Sequence, residues 1–481
     1  MNDAALSLNF IDGRFIDSTP GASLDVINPA NLAAVGRVVD SDAAAVDAAV
    51  DAARRAQPAW ARLAPIERAG HLRAISARIR DNQEALARLI STEQGKVLPL
   101  ARVEVAFTAD YIDYMAEWAR RLEGEILTSD RATESILLLR KPLGVVAGIL
   151  PWNFPFFLIA RKLAPALLTG NTIVVKPSEE TPLNACEFAR LVAQTDLPDG
   201  VFNLVNGRGA TVGARLSEHP GVNLISFTGS VETGSRIMQA AGRNITRVNL
   251  ELGGKAPVIV LADADLALSA KAIWDSRITN TGQLCNCAER IYVQRAVAAD
   301  LGERLATLMA DTRYGDPFGA DDLHMGPLIN RAGLDKVDTL VKSAIAQGAR
   351  VLTGGSIDTD AAGFHFRPTV LADCRHDMDI MRKEIFGPVI PIQAIEDLDE
   401  GIALANDSPY GLTSSLFTRD LGSVLKATRE LQFGETYVNR EHFEAMQGFH
   451  AGRRQSGIGG ADGKHGLYAH LETHVVYLNA F

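Results

Sequence analysis

Cys285 stands in the run TNTGQLCNCAER, where Gly282 permits a tight backbone path beside the thiol and polar neighbours make a purely apolar packing role less natural. A thiolate here could act as a nucleophile. A buried structural cysteine is the commoner fate of a lone thiol, and position alone leaves the two readings level. Cys287, two residues on, faces differently and reads as structural; Cys-x-Cys without a neighbouring His or Cys cluster implies no metal. Glu251 precedes paired glycines in LELGGKAP, where the backbone can approach another element closely. Its carboxylate could be a general base, although most glutamates are solvated surface charges. In GILPWNFPFF, Asn153 follows an expected strand and precedes an expected helix, so its amide could donate to an oxyanion forming in a strand-end cleft. Capping that helix is the simpler use of the same side chain.

Two glycine-containing runs could receive a phosphate. VNGRGATVG supplies Gly207, Gly209 and Gly213, whose spacing does not match GxGxxG, so the usual dinucleotide fingerprint is absent. FTGSVETG places Gly229 and Ser230 where a strand feeds a helix, suited to offering N–H and hydroxyl groups to a pyrophosphate, or to a simple N-cap.

These groups need a scaffold, and the pattern from Gly144 onward supplies one. Short apolar runs (GVVAGIL, TIVVK, VFNLV, NLISFTG) alternate with helical stretches, among them FPFFLIARKLAPALL and the segments after Thr181 and Val231. Such alternation implies a parallel sheet covered on both faces, with ligands at the strand carboxyl ends. A second alternating region runs from about Glu251 to Phe433 and includes APVIVL, ERIYVQ and PVIPI. Ahead of both, LNFIDGRFID alternates about Asp12-Gly13 and predicts a β-hairpin. Two helices follow it: one from near Ser41 stopping before Pro58, the next with Pro65 in its first turn and Ile66, Leu72, Ile75 and Ile79 on one face. SILLLRKP near Ser135 and the terminal VVYLNAF read as strands without an obvious home sheet and form a candidate third element.

Length and composition bound the function. A chain of 481 residues exceeds one compact core, so two large domains and a smaller element are expected. Lys and Arg number 48 against 58 Asp and Glu, spread along the chain, which argues against a nucleic-acid partner and for small substrates. No apolar run is long enough to span a bilayer. The start, MNDAALSLNF, has no basic cluster ahead of an apolar run and does not read as a secretory signal. With only four cysteines (Cys186, Cys285, Cys287, Cys374), the expectation is a reduced, cytoplasmic protein with no disulfide framework.

VVKPSE, FTGSVETG, LELGGKAP, TGQLCNCAER and EIFGPV occur together in the order and approximate spacing of the aldehyde dehydrogenase superfamily, which the whole chain resembles. WNFPFFLIARK and FEAMQGFHAG are similar to the branch that acts on lactaldehyde and glycolaldehyde. The resemblance implies an α/β fold with a Rossmann-like NAD-binding domain (1–118 and 140–250) and an α/β catalytic domain (251–434). It also implies a β oligomerisation arm (119–139 and 460–481), a substrate-pocket segment (435–459), and a homodimer or homotetramer. By the same resemblance Cys285 is the nucleophile that becomes a thioester, Glu251 the base that activates water, and Asn153 an oxyanion donor. Lys176 and Glu179 match positions that bind the adenosine ribose of NAD and Ser230 the pyrophosphate, with Gly209 and Gly229 on the same surface. Glu384 and Phe386 match the nicotinamide-ribose side, with Trp152 nearby.

Arg161, Glu444 and His450 match positions lining the family's aldehyde tunnel, commonly aromatic in relatives that take apolar aldehydes. Polar groups there disfavour a hydrocarbon tail and can satisfy a hydroxyl, with Asn286 adding a contact. A small 2-hydroxyaldehyde is therefore the expected substrate, with Arg161 and Glu444 pairing to shape the pocket as the simpler alternative. One departure concerns a family glutamate assigned to proton relay, which aligns with Ala461 beside Asp462. Succinate-semialdehyde dehydrogenases also resemble the chain and share Arg161, but usually carry a second arginine where Thr279 stands. A catalytically silent scaffold is the rival from outside enzymology.

Overall fold

The computed structural model describes residues 6–479. Residues 1–5, on which the reading of the chain start partly rests, and residues 480 and 481 of the terminal VVYLNAF run lie outside the described residues.

The hairpin forms as its turn predicts: Asn9–Ile11 pairs antiparallel with Arg14–Ile16, and Asp12 and Gly13 take φ of 52° and 73°. It edges an eight-stranded sheet whose centre is five parallel strands: Arg247–Glu251, Leu224–Thr228, Val145–Ile149, Thr172–Lys176 and Phe202–Leu204. Four of these are the apolar runs of the first alternating block, buried along nearly their whole length because helices cover both faces, whereas Arg247–Glu251 (RVNLE), exposed at its start, had no reading as a strand in the sequence. The opposite edge is Gly457–Ile458, antiparallel to Arg247–Glu251.

The second block, joined by Glu435–Val438 from the segment after it, builds a seven-stranded sheet in the order Arg350–Thr353, Thr369–Ala372, Val389–Ile395, Ala288–Gln294, Ala256–Val260, Thr413–Phe417, Glu435–Val438. Only the Arg350–Thr353 edge is antiparallel. The two stray segments find each other, since Glu134–Pro142 pairs along its length with Leu471–Asn479 and also with Glu125–Thr128. A further small sheet, of Leu6–Ser7, Ala34–Val39 and Ser23–Ile27, had no reading in the sequence.

One boundary is corrected. The first long helix spans Ala43–Arg62 and runs through Pro58 instead of stopping before it. An interior proline costs about 3 kcal/mol. Burial of Trp60, whose indole N–H donates to the Leu167 carbonyl at 3.0 Å, offsets a comparable amount. Pro65 opens the following helix, Pro65–Asp81, where Leu72, Ile75 and Ile79 are fully buried. Among the described residues no helix is long and apolar enough to cross a membrane, and no group of His, Cys, Asp and Glu could hold a metal ion.

Candidate active site

Cys285 is presented by a strained turn. The helix Leu266–Ile278 runs into Thr279–Gly282, where Asn280, Thr281 and Gly282 have φ of 48°, 61° and 73°, before the strand Ala288–Gln294 begins. Hydrogen bonds hold that conformation: Thr281 Oγ1 donates to the Gly326 carbonyl at 2.9 Å, and Gln283 Oε1 accepts from the Ile329 N–H at 2.9 Å. Only glycine fits at 282, because a Cβ there would lie 2.4 Å from the Gly387 carbonyl oxygen. The paired glycines after Glu251 serve a similar end, since a Cβ on Gly254 would meet the Cys285 carbonyl oxygen at 2.3 Å. The thiol of Cys285 is half-buried on a cavity wall. Cys287 is fully buried, its Sγ 2.9 Å from Arg277 Nη1, and burial pushes its thiol up to about 12.

Asn153 reaches the same cavity and does not cap the helix that follows it. The N–H groups of Phe156 and Phe157, at the start of Phe157–Leu168, donate instead to Glu104 Oε1 at 2.9 and 3.1 Å. Glu104 is itself bound at 2.5 Å by the buried Lys96, which also donates to the Asn153 carbonyl at 2.9 Å; Asn280 Nδ2 donates to that carbonyl at 3.0 Å. The Asn153 backbone is thus clamped, and its Nδ2 donates to the Gln283 carbonyl at 3.0 Å, beside the cysteine turn. Sequence reasoning missed Lys96 and Glu104; they are two of three charges, with Arg102, in the largely apolar stretch KVLPLARVEVAF, and nothing local sets them apart.

Glu251 ends its strand with both carboxylate oxygens buried and without a hydrogen-bond partner. Burial pushes its carboxyl up to about 7, against the pull of His450, Arg161 and Lys162. Lys162 donates to Thr228 Oγ1 at 2.9 Å, and burial depresses its amine to about 7.

Arg161, Asn286, Glu444 and His450 line this cavity with Cys285, Glu251 and Asn153. They make a polar end only; Val103, Phe107, Phe157, Leu158 and Phe443 give the remaining wall an apolar character that the sequence reading did not anticipate. Within the polar end, Asn286 Nδ2 donates to Glu444 Oε2 at 2.6 Å, and Arg161 Nη2 donates to Glu444 Oε1 at 3.3 Å. The main partner of Arg161 is Asp462, which accepts from Nε at 2.9 Å and also from Nη2. Asp462 is therefore committed to the arginine, and Ala461 next to it bonds backbone to backbone with His450.

The residues matched to a dinucleotide lie near the carboxyl ends of the parallel strands. Lys176 Nζ donates to Glu179 Oε2 at 3.1 Å, while Glu179 Oε1 accepts from the Gly209 N–H at 3.1 Å. Gly229 leads to Ser230, which is exposed and N-caps the helix Val231–Ala241 through the Thr233 N–H at 3.2 Å. Glu384 Oε1 accepts from the Gly254 N–H at 2.9 Å, and burial raises its carboxyl to about 7. Trp152 and Phe386 pack edge to face, ring centroids 5.5 Å apart. Carboxylate acceptors suited to ribose hydroxyls, a buried lysine and an exposed helix N-terminus suited to a pyrophosphate form a donor set that fits a nicotinamide dinucleotide.

A cysteine, a partnerless buried glutamate and a clamped asparagine share one cavity, beside strand carboxyl ends whose residues fit a nicotinamide dinucleotide. The chain belongs to the aldehyde dehydrogenase family, which matches residues 15–476. It is 57% identical over 471 residues to the lactaldehyde dehydrogenase of Escherichia coli K12, covering 98% of each chain. A crystal structure of the lactaldehyde dehydrogenase from Escherichia coli superposes with a TM-score of 0.98 at 56% identity, covering 99% of this chain and 100% of that one. The 3,6-anhydro-alpha-L-galactose dehydrogenase of Vibrio sp. strain EJY3 is 41% identical over 98% of both.

Proposed function

We propose that the protein oxidises small 2-hydroxyaldehydes, lactaldehyde or glycolaldehyde, to their carboxylic acids with NAD through a thioester on Cys285. The observation that carries this is the single cavity in which Cys285, Asn153 and Glu251 adjoin the polar end made by Arg161, Asn286, Glu444 and His450. The name of the 57%-identical relative supports the substrate class.

In this mechanism the Cys285 thiolate adds to the aldehyde carbon, and the oxyanion is held by Asn153 Nδ2 and the Cys285 N–H. Lys176, Glu179, Gly209, Gly229, Ser230, Glu384, Phe386 and Trp152 would hold NAD, which when bound would supply the hydride acceptor for oxidation of that adduct to the thioester. Glu251 then takes a proton from water as the water oxygen attacks the thioester carbon; the C–S bond breaks and the acid leaves. A buried carboxylate raised to about 7 suits this step, because it is a stronger base than an ordinary carboxylate and is still substantially ionised near neutral pH. In the same reading the three-stranded sheet is the contact with a second copy of the chain. Exposed Ile126, Leu127, Tyr477 and Leu478 on its strands support that use.

Lactaldehyde is expected to exceed propanal in kcat/KM by about tenfold, the worth of one or two net hydroxyl contacts. Glu444→Gln and His450→Phe should each narrow that ratio. Equal wild-type values, or a ratio unmoved in both variants, would contradict this substrate assignment. Succinic semialdehyde should fare worse than either, because Glu444 and Asp462 together outweigh Arg161 and repel a distal carboxylate.

NAD is expected to exceed NADP in kcat/KM by at least about tenfold, since Glu179 would face a 2′-phosphate. The two nearby cations that could offset this are already paired, Lys176 with Glu179 itself at 3.1 Å and Arg208 with Asp40 at 3.0 Å. Comparable values for the two cofactors would show the charge argument to be wrong.

A further inference from the structure

His450 is buried between two carboxylates that belong to different elements. Its Nδ1 lies 3.1 Å from Glu435 Oε1, at the start of the edge strand Glu435–Val438, and its Nε2 lies 3.7 Å from Glu251 Oε2. Neutral imidazole carries one N–H and would turn a lone pair toward one of these carboxylates; imidazolium presents a donor to both. The ring position is set from outside the pocket. Its backbone is bridged to Ala461 in both directions, and Glu435 is fixed by a second bond, from the Tyr437 hydroxyl to Oε2 at 2.7 Å.

We propose that Glu435 is a positioning residue that holds His450 as a buried imidazolium, and that this fixed cation keeps Glu251 ionised so that it can act as the base in thioester hydrolysis. This role presupposes the Cys285 chemistry proposed above.

The charges around the ring support it. Burial and Arg161 oppose a cation on His450, but Arg161 is already compensated by Asp462 and Glu444. Cys285, Glu435 and Glu251 all favour the cation, and the imidazole is raised well above its ordinary value. Glu435 moves the opposite way: burial raises it, but His450 and the Tyr437 hydroxyl hold it below the usual carboxylate range. Around Glu251 burial is the largest influence and drives the carboxyl up; His450 leads the groups that pull it back, ahead of Arg161 and Lys162, while Asp462 pushes it further up. Removing the Glu435 charge lets His450 become neutral and leaves Glu251 harder to ionise, so a higher pH is needed to generate the base.

The test is the pH profile of steady-state kcat with lactaldehyde and NAD, measured with the pre-steady-state NADH burst, in wild type, Glu435→Gln and Glu435→Asp. Loss of one opposite charge at this range moves a carboxyl by about one pH unit or more. In Glu435→Gln the acidic limb should therefore shift upward by at least that much. The burst should persist, and kcat should recover to within about twofold of wild type near pH 9, where Glu251 ionises without help. Glu435→Asp should restore most of the wild-type limb. A uniform loss of kcat at every pH, or an unmoved limb in a folded Glu435→Gln enzyme, would overturn the proposal. Should Glu435→Gln not fold, as judged by circular dichroism, His450→Gln carries the same expectation of a raised limb, and an unmoved one there refutes it. Cys285→Ala, run alongside, separates the two levels: turnover surviving in that variant defeats the thioester chemistry itself, whatever the Glu435 profiles show.

Discussion

Cys285→Ala is expected to lower kcat for aldehyde oxidation by about 10⁴-fold or more, while Cys287→Ala keeps most of the activity. The two thiols are two residues apart and their surroundings are opposite. Cys285 is half-exposed on the cavity wall with Asn153 and Glu251. Cys287 points into the protein, held by Arg277 Nη1 and donating to the Leu284 carbonyl at 3.2 Å, with burial keeping it a thiol. Losing that sulfur leaves Arg277 with the Ala288 carbonyl and Glu289, so a modest stability loss of about 1–2 kcal/mol is the expected price at position 287. Steady-state assays of both variants, with circular dichroism to confirm folding, decide the matter. A folded Cys285→Ala enzyme turning over near the wild-type rate would exclude covalent catalysis at this residue.

Glu251→Gln is expected to reduce kcat by about 10²- to 10⁴-fold while preserving an NADH burst, because the amide keeps the shape of the carboxylate but cannot accept the proton of water. Both oxygens of Glu251 lack a partner, so the substitution breaks no hydrogen bond. In wild type, hydrolysis should weaken as pH falls through about 7, where the buried carboxylate takes up a proton. Stability should show the complementary sign. With the folded value near 7 and the ordinary value at 4.5, Glu251 favours the fold fully below 4.5, and that contribution fades as pH rises to about 7. Glu251→Gln lacks this loss, so its Tm relative to wild type should climb across that window. A stopped-flow trace without a burst would place the defect in acylation, and unchanged steady-state turnover would remove Glu251 from the reaction.

Local chemistry in the sequence reached the framework more readily than the site. The hairpin followed from Asp12-Gly13, the two sheets from alternating apolar runs, and a third element from two strands without a home sheet, though that these two pair with each other came only from the structure. Glu251, Asn153 and Cys285 were each ambiguous alone, and only the joint order of five motifs pointed to one family. What stayed hidden depends on residues distant in the chain. Asp462 meets Arg161 across 301 positions, and Lys96 reaches the Asn153 carbonyl across 57. Glu435 is fifteen residues from His450, yet nothing in GETYVNREHFEAMQGFH shows that the loop folds back so that the two meet. The helix through Pro58 was misread for a related reason: local propensity ends a helix there, and the burial of Trp60 against Leu167 carries it on.

The most direct test of the account is mass spectrometry of Glu251→Gln quenched during the burst with lactaldehyde and NAD. A lactoyl group should be found on the peptide bearing Cys285, in an amount equal to the NADH released, and should be absent when Cys285 is also replaced by Ala. NADH formed in the burst without an adduct on Cys285, or with the adduct on another residue, would contradict the thioester mechanism.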